Sequence, residues 1–117
     1  LEWAERVAGA VKRWGAGKVI AESNQGGDMV KQTLRYGGVA CPVELAHAGA
    51  AKVVRAQPAA ALYQKGRVAH CGEFALLEEE LLAMGSGEGK CDRADALVWA
   101  LEDLLVRPRV KPGVMRL

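Results

Sequence analysis

The sequence predicts an α/β domain, and two observations carry that reading. Residues 18–30, KVIAESNQGGDMV, contain a short apolar run, Val19-Ile20-Ala21, that reads as a buried strand. A polar turn with glycines and an amphipathic helix follow it. Elsewhere, apolar residues recur at spacings of three and four between charged ones, the period of helices packed on a core. The strand ends on an acid, Glu22, beside a glycine turn and a helix start, where α/β proteins place chemistry. From this stretch alone the simpler reading also stands, that Glu22 is the first solvated residue after a strand.

Composition sets bounds. A chain of 117 residues, half of them hydrophobic and 26% charged, is enough for one soluble globular domain with a modest core. The net charge of +2 announces neither a nucleic acid nor a membrane surface, and aromatic residues, at 5%, are too few for a base-stacking surface. Cys41, Cys71 and Cys91 are far apart and without a CxxC spacing, which fits reduced cytosolic thiols better than a disulfide framework or a zinc knuckle. No apolar run approaches the roughly 20 residues of a membrane span, and no signal peptide opens the chain. The start, Leu1-Glu2-Trp3, has no initiator Met and reads as a piece of a longer chain.

Taken in order, Trp3, Val7, Ala10, Val11 and Trp14 form one face of a first helix, with both tryptophans expected in the core and Gly15 and Gly17 as its stop. After the strand, Asp28 suits the first turn of a helix, where its charge meets the positive dipole end. Met29, Val30, Thr33 and Leu34 make that helix's buried stripe, and Gly37-Gly38 ends it. Val43 and Leu45 give a short alternating strand. The next helix includes Leu62 and Tyr63 and stops at Gly66; a start near Lys52 would put Pro58 in its interior, so a break before Pro58 is favoured. Lys52 and Arg55, three apart, are either solvated cations or a face that meets phosphates.

Residues 67–70 read as a brief edge strand, and His70 and His47, lacking partners at ligand spacing, as surface or satisfied histidines. Phe74, Leu77, Leu81 and Leu82 carry another helix, with Glu78, Glu79 and Glu80 as its solvated side; three consecutive helical positions diverge too widely to share an ion. A glycine-rich loop, 85–89, precedes the last helix, DRADALVWAL, whose stripe of Ala94, Leu97, Val98, Leu101, Leu104 and Leu105 faces the core. Asp92 and Asp95 border that stripe. On their own they are accounted for by helix capping, Asp92 as N-cap and Asp95 in a capping-box-like place. The tail, 107–117, is basic and proline-broken.

Four stretches in this order, AESNQGGDMV, K-x-x-R-A-x-P (Lys52, Arg55, Ala56, Pro58), L-Y-x-x-G-R-V (Leu62 to Val68) and DRADALVWAL, resemble the C-terminal nuclease domain of phage large terminases, the DNA-packaging motor proteins. The resemblance implies a ribonuclease H-like α/β fold over 1–106, a mixed sheet flanked by helices. It also implies a cluster of acids holding two Mg²⁺ or Mn²⁺ ions, and cutting of concatemeric double-stranded DNA during packaging. Carried over, Glu22 matches the family's acid after a central strand, Asp95 the acid on the final helix, and Asp92 an auxiliary ligand. Lys52 and Arg55 become contacts to the DNA backbone, and Asn24 a residue that orients a metal-bound water.

The family's leading strands, with its first catalytic Asp, match nothing in this sequence, which reduces a three-acid site to two and predicts weak or absent cutting by this chain alone. The missing strands also leave a sheet edge through which a second copy would pair. The implied partners are the terminase ATPase domain, the small terminase and the portal, in the cytoplasm of a bacterial host. Three other readings stay open: a prophage remnant that only binds DNA or protein, another ribonuclease H-like nuclease such as a junction resolvase, and a small domain binding an anion at Gly26-Gly27.

Overall fold

In the computed structural model the elements run α1 (Glu2–Trp14), β1 (Val19–Glu22), α2 (Gly27–Tyr36), β2 (Val43–Ala46), α3 (Lys52–Gln64), α4 (Ala75–Met84) and α5 (Asp92–Leu101), the last continuing into a π-helical turn, Glu102–Val106. The structure describes residues 2–23, 27–47, 49, 52–84, 86 and 89–107, and of Lys52 and Val53 the backbone only. They fall into two compact units, Leu1–Gly49 and Ala50–Leu117.

In the first unit β1 and β2 pair in parallel, Val19 opposite Val43 and Glu22 opposite Ala46, with α2 as the crossover that parallel strands require. Flanking bonds extend the ladder: the Val19 N–H donates to the Pro42 carbonyl at 2.9 Å and the Ser23 N–H to that of Ala46 at 2.9 Å. Among the described residues the sheet has these two strands. Ala4, Leu34, Val39 and Val43 form the core, with Val7, Ala8, Val19, Ala21, Val30 and Cys41 packed around it.

The apolar face of α1 differs from expectation. Trp3 and Trp14 are 51% and 75% exposed, whereas Ala4 is fully buried. The cause is a close approach: a Cβ at Gly37 would lie 2.6 Å from the Ala4 Cβ, so α1 meets the end of α2 through a small side chain and an indole has no room there. Met29, expected in the stripe of α2, is likewise exposed, and the burial falls on Leu34. Arg35 ties down the segment after α2, its Nη1 donating to the carbonyls of Val39, Ala40 and Cys41 at 3.0 to 3.3 Å.

In the second unit α3, α4 and α5 bury Ala59, Leu62, Met84, Cys91, Ala94, Val98 and Leu101. α3 begins at Lys52, so Pro58 does lie inside it. Proline cannot donate to the carbonyl four residues back, and that residue, Val54, is 53% exposed, where water can replace the missing bond. Residues 67–70 are not a strand; the Tyr63 and Glu78 side chains hold His70, and the Arg67 N–H donates to the Leu62 carbonyl at 3.0 Å. Leu104 and Leu105 are exposed and Asp103 is buried, the reverse of the predicted stripe. The π-helical turn changes the phase of the last residues, and the residue turned inward is an acid.

Candidate acid site

The start of α5 is built by an acid from the preceding helix. Cys91 is the N-cap and makes no side-chain cap bond. The amides of Arg93 and Ala94, at the positions an N-cap side chain normally serves, donate to Glu80 Oε1 at 2.8 and 3.2 Å. Glu80 Oε2 pairs with Arg93 Nη1 at 2.7 Å. Neither Asp92 nor Asp95 therefore caps this helix. Asp92 is exposed at the first helical position, and the capping explanation of both acids gives way to Glu80. The Arg93 side chain and these amides hold the Glu80 carboxyl below the usual glutamate range.

Asp95 is placed differently. Its Oδ1 lies 3.0 Å from Arg55 Nη2, and the two side chains are only 14% and 10% exposed. The guanidinium carbon of Arg55 also sits 4.8 Å from the Trp99 ring centroid, one turn along α5 from Asp95. Asp95, Trp99 and Asp103 follow at intervals of four, on one side of the helix, and Asp103 pairs with Arg107 at 3.5 Å. Asp103 escaped the sequence reading because it sits among leucines in a stretch read as apolar stripe. Its spacing of eight from Asp95 is the signal that marks it.

Glu22 is exposed at the C-terminal end of β1, and Ser23 beside it is buried. Lys52 opens α3. Asn24 lies outside the described residues, as do Gly26 of the glycine pair and the tail from 108.

A second polar cluster was not anticipated. The Tyr63 hydroxyl lies 2.8 Å from His70 Nε2, and His70 Nδ1 lies 2.8 Å from Glu78 Oε2. An ionised Glu78 can only accept, so Nδ1 carries the proton and Nε2 accepts from Tyr63. The bond from His70 lowers the Glu78 carboxyl, while burial and then the Glu78 charge raise the Tyr63 hydroxyl. Two of the three glutamates read as a solvated face thus have fixed partners. The residues making this chain are seven and eight apart and carry no sequence signature.

Carboxylate oxygens are the donors that Mg²⁺ and Mn²⁺ select, and Asp95 Oδ1 is buried without an aligned hydrogen bond, its contact to Arg55 being charge against charge. In donor chemistry the residues fit such an ion. Among the described residues no group of three or more His, Cys, Asp or Glu side chains is gathered to hold one. No helix among them is long and apolar enough to cross a membrane.

Residues 1–104 match a family model described as the terminase RNaseH-like domain. No curated protein and no solved structure matches the chain.

Proposed function

From the premise that this chain belongs to the terminase RNaseH-like domain family, we propose that it is part of the metal-dependent DNA endonuclease domain of a phage or prophage large terminase, which cuts concatemeric DNA during packaging. The observation that supports this reading is Asp95: an acid near the start of the last helix, not engaged in capping and largely buried against Arg55, whose guanidinium in turn lies on the Trp99 ring. In the proposed domain the two strands belong to a larger mixed sheet, and the strand edges that stay unpaired among the described residues are covered by its other strands or by a second copy.

Glu22 and Asp95 are the proposed metal ligands, with Asp92 auxiliary. Two divalent ions, when bound, activate water and stabilise the leaving oxygen of a phosphodiester. The chain's own part is to present carboxylate oxygens from a strand end and a helix, elements rigid enough to hold ligands in place. Lys52 and Arg55 are proposed to meet the DNA backbone, and Asn24 to orient a water. The ATPase domain, small terminase and portal are the proposed partners, in a bacterial cytoplasm.

A second reading, a remnant that binds DNA or protein without cutting, has the Arg55–Asp95 pair on its side, since the acid already carries a counter-charge. Calorimetric titration with Mn²⁺ separates the two. Binding by the unaltered chain that disappears in Asp95→Asn supports the nuclease reading. No binding by either protein supports the remnant.

A further inference from the structure

Arg55 is held on two sides, by the Asp95 carboxylate at 3.0 Å and by the Trp99 ring at 4.8 Å, and its side chain is 10% exposed. This is an unusual setting for a residue whose only task is to meet phosphates, which reach a protein from solvent. It is the setting of a fixed counter-charge. A buried carboxylate without a positive neighbour is strongly disfavoured, and a planar guanidinium that pairs with an acid while stacking on an indole supplies that charge with little loss of freedom.

We propose that Arg55 is a positioning residue for Asp95: it occupies Oδ1 in the cation-free chain, and Asp95 takes up a divalent cation only by exchanging it for Arg55. The inference rests on the reading of Asp95 as a metal ligand. It adds that the ligand is guarded, so that cation affinity is set by the Arg55–Asp95 equilibrium as well as by the acids themselves. The fold gives the displaced guanidinium a place to go. A small cavity of about 110 Å³ adjoins Arg55, lined by Pro58, Ala59, Val98, Glu102 and Val106, and Glu102 offers it another carboxylate.

Trp99 reports the exchange directly, because the cation leaves its ring face. Trp3 and Trp14 are exposed and replaceable by Phe, which leaves Trp99 as the sole tryptophan. Mg²⁺, which does not quench indole, is titrated into this background with Arg55 intact and as Arg55→Met, Arg55→Lys and Asp95→Asn. The expected result is a Mg²⁺-dependent change in Trp99 emission with Arg55 intact. Calorimetry should show affinity tightened on the order of tenfold in Arg55→Met, an intermediate value in Arg55→Lys, and no binding in Asp95→Asn.

Equal affinity with Arg55 intact and in Arg55→Met, lost in Asp95→Asn, overturns the guarding role and leaves the metal reading in place. Binding by none of the proteins overturns the metal reading and the inference with it. Should Arg55→Met not fold, calorimetric binding to the Arg55-intact protein with no response of Trp99 overturns the exchange.

Discussion

Each unit is stabilised internally, and the two are so in opposite ways. In Leu1–Gly49 the contacts that matter are small and apolar: Ala4 against Gly37, with Leu34, Val39 and Val43 behind them. Two ion pairs there are on the outside, Arg6 with Glu2 at 80% and 86% exposure and Lys18 with Glu44 at 37% and 38%, where such pairs contribute little. In Ala50–Leu117 three acids are drawn inward, Asp103 at 6% exposure and Asp95 and Glu80 at 14%, each with a basic partner. Size decided burial in the first unit, and pairing decided it in the second. At the Ala4–Gly37 approach no large side chain fits, whereas Asp95, Asp103 and Glu80 turn inward because a basic partner is fixed beside each.

The largest expected effect comes from unpairing the second unit. Asp95→Ala leaves the Arg55 guanidinium largely buried without its carboxylate, a loss of about 3 kcal/mol in urea denaturation. Replacing both residues with Met should recover most of it, since removing a buried pair together is far milder than removing one partner. A loss below about 1 kcal/mol for Asp95→Ala would put this pair in the class of surface pairs and erase the contrast.

A somewhat smaller effect is expected from the first unit. Gly37→Ala brings a methyl to 2.6 Å from the Ala4 Cβ and 2.7 Å from its carbonyl carbon, backbone that cannot rotate away. The cost should be about 1–3 kcal/mol, the usual range for overpacking, whereas Trp14→Ser, despite its much larger change in side chain, should stay within about 0.5 kcal/mol. The same urea titrations check both, and a Trp14→Ser loss larger than that of Gly37→Ala would reverse the reading of α1.

The smallest effect is a pH dependence that belongs to the second unit. Glu78 and Glu80 have carboxyls lowered from an ordinary value of 4.5, by the His70 bond and the Arg93 bond respectively. A lowered folded-state value means stability that is present above the unfolded value and lost as pH falls through the folded one. The thermal midpoint should therefore decline as pH drops below about 4.5, and Glu80→Gln together with Glu78→Gln should flatten that decline. An unchanged slope in the double variant would show that these bonds are not coupled to folding.

Much of the chain was legible in its periodicities. The strand at 19–22, the helix opened near Asp28, the strand from Val43 and the last helix at Asp92 all follow from apolar spacing and turn residues. What was not legible depends on contacts between elements. Glu80 caps α5 from thirteen and fourteen residues upstream, so no local capping motif records it. Trp3 and Trp14 have the spacing of a buried stripe, but a glycine more than twenty residues on decides which face of α1 packs. Arg55 and Asp95 are forty residues apart, and neither the K-x-x-R-A-x-P segment nor DRADALVWAL shows that one pairs with the other. The π-helical turn, in which Leu104 and Leu105 are exposed, leaves no mark in a pattern read at 3.6 residues per turn.

The most direct test of the nuclease assignment is anomalous diffraction from crystals of the chain grown with Mn²⁺. A manganese peak is expected at coordinating distance from carboxylate oxygens of both Glu22 and Asp95, with Arg55 moved off Oδ1. No peak at Asp95, with Arg55 still paired to it under saturating Mn²⁺, would contradict it and leave a domain that keeps its family's fold without its metal chemistry.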